Sequence, residues 1–255
     1  RLTLHHPNPS SGEAWYFGGI CARYLGDVDE AYPLFYKATW NYEWRSPSYY
    51  ELACLDMRAG RYKEAGEHAR LSLETNQLNN KATIVQALAL DKMGKTNEAQ
   101  ILLEQLQKSD GLDAWAYYEL TRIQKRDLES FRQRFRNDAQ TILEIAFEYA
   151  TCGLWERGIE LLLWHVDTRV VPVAVPNPGE RSPLVPFVLA WMYFQSQQND
   201  LADEWLTTGN LTEPEYAFPS RIEEMIVLEW ARSRRNSDII GFALGNYYFS
   251  KRRHS

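Results

Sequence analysis

The five histidines are the side chains of this sequence best suited to acid–base catalysis or metal binding near neutral pH. His5 and His6 precede Pro-Asn-Pro, which predicts an extended segment where neighbouring side chains point in opposite directions. We expect His68 on an outer helix and His165 at a position that packs between helices, so neither is assigned a catalytic role. The sequence also lacks the Gly-x-Ser-x-Gly, His-Glu-x-x-His, Walker and Gly-x-Gly-x-x-Gly motifs. It therefore predicts a protein that is not an enzyme and has no cofactor. A cleft with two close carboxylates, for example near 166–186, would favour an enzyme instead.

Carboxylates and thiols could also bind a metal or form a covalent link, but neither occurs at a suitable spacing. The acidic residues of the segment 27–30 resemble part of a calcium loop, yet the remaining ligands are missing, and we expect them to begin a helix. The three cysteines, Cys21, Cys54 and Cys152, are odd in number and widely spaced, which argues against a disulfide framework or a zinc site. We expect them to be small buried residues of helices, and no metal site is predicted.

The composition indicates a folded protein without the features of a nucleic-acid or membrane binder. The 9 Trp, 15 Tyr and 10 Phe would be out of place in a disordered chain, which cannot bury enough apolar surface to fold. The formal net charge is −6, and of the two short basic clusters, at 232–235 and 251–254, the first follows a helical run, where cations offset the helix dipole. No stretch reaches the ~18 apolar residues of a membrane helix. Because the chain begins at Arg1 without Met, we expect a processed or truncated start, and both cytoplasm and periplasm remain open.

The elements that must position any binding residues follow from a repeated motif, Gly-x-x-x-Glu-Ala. Its glycines are residues 26, 60 and 94 and its alanines are residues 31, 65 and 99, so both series advance by 34 residues. Glycine supplies the left-handed backbone that ends one helix. Alanine, five residues later, lets the next helix cross the first at close range. The motif therefore predicts a series of antiparallel helix pairs.

This period and these residues resemble the tetratricopeptide repeat (TPR) family. The resemblance implies an all-α fold, a right-handed α-solenoid of antiparallel helix pairs, with repeats at 12–45, 46–79 and 80–113. The second repeat departs from the family pattern at Ala69 and Ser72, and the third at Thr83. The matching residues are Trp15, Gly19, Gly26, Ala31, Phe35 and Ala38 in the first repeat, Tyr49, Ala53, Gly60, Tyr62 and Ala65 in the second, and Ala87, Gly94 and Ala99 in the third.

The second half of the chain is predicted to be less regular. Gly153 marks another turn, with Gly158 in the alanine position, and Ser220 with Glu223 predicts a capping box at the start of a helix. Helices are predicted at 114–124, 128–136, 186–197, 201–207, 220–234 and 239–251. The predicted organisation is an extended segment at 1–11, three regular repeats at 12–113, irregular helices with a fourth degenerate repeat at 114–165, a proline-rich loop at 166–186, and degenerate repeat-like helices at 187–255 that we expect to be truncated.

The resemblance also implies which residues face a ligand, because the first helix of each TPR lines a concave face. The family's clamp for a C-terminal carboxylate requires Lys and Asn where this chain has Tyr16 and Ile20, so that clamp is absent. What remains is an aromatic and basic face, whose rings suit interface contacts. The alternative is that several of these tyrosines pack against neighbouring helices or the loop at 166–186. The predicted partner-binding residues are Tyr16, Arg23, Tyr24, Tyr50, Arg58 and Lys92.

Two functions remain open at this stage. The first is a scaffold that binds a protein, a peptide or an N-terminal domain of its own full-length chain, with a homodimer also possible. The second is a carbohydrate-binding or accessory module. It is suggested by the dense aromatic run and by a similarity of 15–19, 40–50 and 243–248 to the TPR tail of large bacterial proteins of unknown function. In those proteins a β-rich domain similar to sugar-handling enzymes precedes the repeats. The aromatic run comprises Trp40, Tyr42, Trp44, Tyr49 and Tyr50.

Overall fold

A computed structural model describes residues 11–166, 182–212 and 217–252. All regular secondary structure in these residues is α-helical, which confirms the predicted fold class. None of these helices is both long and apolar enough to cross a bilayer. The described part of the chain forms fourteen helices: α1 (Glu13–Tyr24), α2 (Val28–Ala38), α3 (Tyr42–Arg58), α4 (Tyr62–Thr75), α5 (Asn80–Lys92), α6 (Thr96–Ser109), α7 (Ala114–Ile123), α8 (Glu129–Phe135), α9 (Ala139–Thr151), α10 (Trp155–Val166), α11 (Leu184–Gln195), α12 (Asn199–Gly209), α13 (Ile222–Arg234) and α14 (Asp238–Ser250).

The chain divides into two compact units, of which the first comprises the residues up to 128 together with 151–153. From α1 to α7 each helix packs on the next, and α3 also contacts both α1 and α5. The first helices of successive repeats are therefore neighbours. This sequential packing of helix pairs is a TPR-like α-solenoid, as the 34-residue period predicted.

Each predicted glycine turn has the left-handed backbone that the motif requires. The φ angles are +81° at Gly26, +75° at Gly60, +78° at Gly94 and +69° at Gly153. The residue after each glycine donates its N–H to a carbonyl five residues earlier, at 2.9 Å in all four turns. This bond closes the end of the first helix and fixes the direction in which the second helix leaves.

Small residues lie where the paired helices cross. Ala31, Ala65 and Ala99 are fully buried. A Cβ atom on Gly19 would lie 2.7 Å from the Phe35 ring, so the ring occupies the space that any larger residue would need. The departure from the family pattern at Ser72 has a physical reason, because its buried hydroxyl donates to the Ser46 carbonyl at 2.8 Å.

The second unit comprises residues 129–150 and those from 154 onward. Gly158 takes the alanine position of the motif, and a Cβ there would lie 2.8 Å from the Met192 sulfur, so the Met192 side chain fills the space beside it. The predicted capping box is wrong by one residue: Glu224, not Glu223, accepts from the backbone N–H of Ser220 at 2.7 Å and of Arg221 at 2.9 Å. Glu224 is buried, so its carboxylate is held against these donors.

The predicted proline-rich loop falls mainly outside the described residues, which omit 167–181. Its first residue, Val166, ends α10, and α11 begins at Leu184, two residues before the predicted start. Pro186 therefore lies inside the first turn of α11. A proline is tolerated there because the N–H groups of a first turn have no partner within the helix.

Candidate functional site

The candidate site is the surface formed by the first helices of the repeats, α1, α3 and α5, called here the first-helix face. A salt bridge joins α1 to α3 across this face, with 3.1 Å between Arg23 Nε and Glu51 Oε2. Both side chains are nearly buried, at 12% and 8% exposure. Burial is the largest single effect and lowers the pKa of Arg23, but the charge of Glu51 together with the interactions with Tyr24 and Cys54 outweighs it, so the net pKa is raised. Glu51 was not predicted from the sequence, since it falls outside the family's ligand-facing positions.

Both tyrosines of α1, Tyr16 and Tyr24, lie near this ion pair. The guanidinium of Arg23 lies 4.4 Å from the centre of the Tyr24 ring, within the range of a cation–π contact. Tyr16 is half-buried and packs its ring 5.0 Å from that of Trp44 and 5.8 Å from that of Phe35. Burial, followed by the charge of Glu51, raises the pKa of Tyr16 to about 12. Tyr16 is thus a neutral residue that contributes to packing as well as to the face.

The α3 side of the face is partly covered by the turn at 151–153. A Cβ atom on Gly153 would lie 2.8–3.0 Å from Cγ, Cα and Cβ of Arg58, so the two backbones are in close contact. Next to it, the Cys152 Sγ lies 3.7 Å from the Cys54 Sγ, and both residues are buried. The predicted burial of these two cysteines is confirmed, whereas Cys21 is exposed.

Arg58 and Tyr50 complete the α3 part of the cluster. Arg58 keeps an exposed surface, and partial burial, followed by the charge of Arg23, lowers its pKa. Tyr50 is half-buried and hydrogen bonds to the Cys54 thiol, whose pKa is raised by burial. Five of the six predicted residues are therefore brought together around Glu51. The sixth predicted residue, Lys92, is exposed at the end of α5 and is not part of this cluster.

A second ion network joins α5 to α7. Arg122 Nη2 donates to Asp91 Oδ2 at 2.8 Å and to Glu119 Oε2 at 2.9 Å. Glu119 is buried at 1% exposure. Burial lowers the pKa of Arg122, but the charges of Glu119 and Asp91 and their hydrogen bonds to the guanidinium together outweigh it, so the net pKa is raised. Asp91 occupies a ligand-facing position in the family, but here it links neighbouring repeats.

Each of the two histidines within the described residues contacts a buried polar side chain. His68 lies on α4, and its Nδ1 is 2.7 Å from Oδ2 of the fully buried Asp56. The same carboxylate accepts from Arg61 Nε at 2.8 Å. His165 Nδ1 lies 3.1 Å from Asn137 Oδ1. His165 is buried, as expected for a position that packs between helices. His5, His6 and His254 lie outside the described residues. Within the described ranges no three His, Cys, Asp or Glu residues are grouped as a metal site.

The aromatic run at 40–50 is divided among three environments. Trp44 packs on Tyr16, and its indole N–H donates to Ser11 Oγ at 3.3 Å. Tyr50 belongs to the first-helix face. Trp40, Tyr42 and Tyr49 line a separate cleft of about 450 Å³ between α2, α3 and α4.

No family model and no curated protein sequence matches the chain. A solved structure of a tetratricopeptide repeat protein from Parabacteroides merdae is similar to it, with 15% sequence identity and a TM-score of 0.45. The similarity covers 94% of this chain and 99% of that one.

Proposed function

We propose that the chain is a non-catalytic scaffold that binds a protein or peptide segment through the first-helix face. TPR-like helix pairs generally mediate protein interactions, and this is the coarse function that the fold supports. One observation favours this face. Tyrosine and arginine side chains from two consecutive repeats converge on it, around Arg23 and Glu51. Aromatic residues and arginine are the side chains most enriched among strong interface contacts.

The charges of the face indicate the chemistry of the partner. Arg23 lies close enough to Arg58 for its positive charge to lower the pKa of Arg58. A carboxylate placed between or beside two such cations would offset this repulsion and form charge-assisted hydrogen bonds. We therefore propose a partner segment that carries acidic side chains together with apolar or aromatic ones. Such a segment could belong to a separate protein or to an adjacent domain of the full-length chain.

The proposal is tested with a displayed library of random peptides and two charge reversals, Arg58→Glu and Lys92→Glu. We expect selection of acidic peptides whose affinity falls by about tenfold or more in Arg58→Glu, because a hot-spot contact becomes a repulsion. Lys63→Glu is the matched control, since Lys63 is exposed on α4, which is not one of the first helices that form the face. Selected peptides that bind Arg58→Glu and Lys92→Glu as tightly as the native chain would contradict the proposal.

Carbohydrate binding, the alternative function, concerns other residues. Of the five aromatic residues on which that alternative rests, Tyr50 belongs to the first-helix face, while Trp40, Tyr42 and Tyr49 line the separate cleft. The two functions therefore have separable mutations.

A further inference from the structure

The cleft of about 450 Å³ in the first unit is a second candidate binding site, and it goes beyond the function proposed for the first-helix face. Its size lies within the range of ordinary small-ligand sites. It is built by three helices, α2, α3 and α4, and by the turn that joins α2 to α3. Four aromatic side chains, one cation, one anion and two threonines contribute to its lining. The first six of these are Tyr36, Trp40, Tyr42, Tyr49, Arg45 and Glu74.

Three of the four aromatic residues at this cleft are exposed to solvent. Trp40 is 72% exposed, Tyr42 69% and Tyr36 48%. Large rings left in water contribute little to folding, because the stabilisation from an apolar side chain depends on the area it removes from water. A group of such rings around one cleft is therefore a feature of a binding site more than of a core.

The backbone that carries Trp40 is fixed before any ligand arrives. The Thr39 hydroxyl donates to the Tyr36 carbonyl at 2.8 Å, and Arg45 Nε donates to the Thr39 carbonyl at 3.1 Å. Thr39 itself is buried. On the far side Tyr49 stacks on His68, with 5.7 Å between ring centres and 22° between planes. A preorganised site loses less conformational entropy when it binds a ligand.

The polar groups of the lining select the class of ligand. Arg45 can only donate hydrogen bonds, whereas ionised Glu74 can only accept them. An anionic ligand would be repelled by Glu74 and a cationic one by Arg45. A proline-rich peptide presents many carbonyl acceptors but few donors for Glu74. Hydroxyl groups both donate and accept, so a polyhydroxylated ligand satisfies both side chains.

We propose that this cleft binds a neutral oligosaccharide. A pyranose ring has an apolar C–H face that stacks on an exposed aromatic ring and a rim of hydroxyls that reaches Arg45 and Glu74. Glu74 also accepts a hydrogen bond from Arg70, one turn earlier on α4, which holds its carboxylate in place.

The test uses isothermal titration of the 255-residue chain with neutral oligosaccharides of glucose, mannose, galactose and xylose, four to six units long, at millimolar concentration. Decaproline is titrated alongside them. We expect at least one oligosaccharide to bind, and Trp40→Ala and Glu74→Gln each to weaken it by about tenfold. Phe218→Ala is the matched control, because Phe218 is 66% exposed and lies in the second unit. Thermal unfolding of all variants separates loss of binding from loss of folding.

Each outcome decides the assignment. Binding that Trp40→Ala weakens and Phe218→Ala preserves supports the oligosaccharide site. Absence of binding by every oligosaccharide overturns the proposal. Binding that Trp40→Ala and Phe218→Ala weaken to the same extent overturns it as well. Decaproline binding that depends on Trp40 would instead make the cleft a peptide site. The charge reversal Arg58→Glu leaves oligosaccharide binding unchanged, so failure of this inference is distinguishable from failure of the scaffold proposal.

Discussion

The Sγ atoms of Cys54 and Cys152 lie 3.7 Å apart although 98 residues separate them in the chain. Cys54 is on the first helix of the second repeat, and Cys152 is in the turn after α9. The turn also places Gly153 against the backbone of Arg58. The chain itself therefore covers part of the α3 surface, and any partner of the first-helix face must approach the part formed by Arg23, Tyr24 and the exposed portion of Arg58.

This contact predicts an unequal effect of replacing the turn glycines. Gly60→Ala introduces only backbone strain, because its Cβ would meet no atom within 4 Å, and we expect about 1 kcal/mol of destabilisation. Gly153→Ala adds a collision with Arg58, so its loss should reach about 3 kcal/mol or more. Urea unfolding of both variants measures the difference.

Gly66→Ala is the control for this pair of substitutions. Gly66 is inside α4, and its Cβ would make an ordinary 3.8 Å contact with Ala89. Here alanine should stabilise the helix by about 0.5–1 kcal/mol. Equal destabilisation by Gly60→Ala and Gly153→Ala would show that the turn at 151–153 does not pack on Arg58.

The Arg23–Glu51 pair predicts strong coupling between two buried charges. Glu51→Gln or Arg23→Met should each destabilise the chain by about 3–5 kcal/mol, because the remaining charge is left buried without its counter-ion. The double variant Arg23→Met/Glu51→Gln should lose much less stability than the sum of the two single variants. Lys95→Gln, in the exposed pair with Glu98, is the control and should change stability by less than about 0.5 kcal/mol. Additive losses in the double-mutant cycle would exclude the coupling.

Tyr16 predicts a loss of stability at high pH. Burial raises the pKa of Tyr16 to about 12 in the folded chain, whereas the pKa of a tyrosine in the unfolded chain is about 10. A raised pKa means that folding favours the neutral phenol. This contribution is fully present below about pH 10 and is lost as the pH rises toward about 12.

The measurement is the free energy of unfolding between about pH 9 and 12 for the native chain and Tyr16→Phe. The native chain should lose stability more steeply than the variant, which has no phenol to ionise at this position. Tyr42→Phe, at a residue that is 69% exposed, controls for the loss of one hydroxyl. Parallel curves for the native chain and Tyr16→Phe would contradict the burial of this phenol.

Much of the fold could be predicted because its signals are local. The turns at Gly26, Gly60 and Gly94 require a left-handed residue, and the sequence supplies glycine at each of them. The buried alanines five residues later reflect the same local geometry. The error at Ser220 and Glu223 is a shift of one residue, because the buried Glu224, not Glu223, accepts from the backbone N–H of Ser220.

The candidate sites could be predicted only in part. The repeat placed Tyr16, Arg23, Tyr24, Tyr50 and Arg58 on first helices, and the structure joins them in one cluster. The repeat could not show that Glu51 lies at the centre of that cluster. Nor could it show that the adjacent aromatic residues Trp40, Tyr42 and Trp44 diverge, with two at the cleft and one at Tyr16.

The sequence by itself determined the helix pairs, their 34-residue period and their turns, because these depend on the backbone preferences of residues only a few positions apart. The tertiary structure alone decided that Cys152 meets Cys54, that Asp56 binds His68, and that Arg45 and Glu74 share a cleft. These contacts depend on how separate helices are rotated against one another, which no local signal encodes.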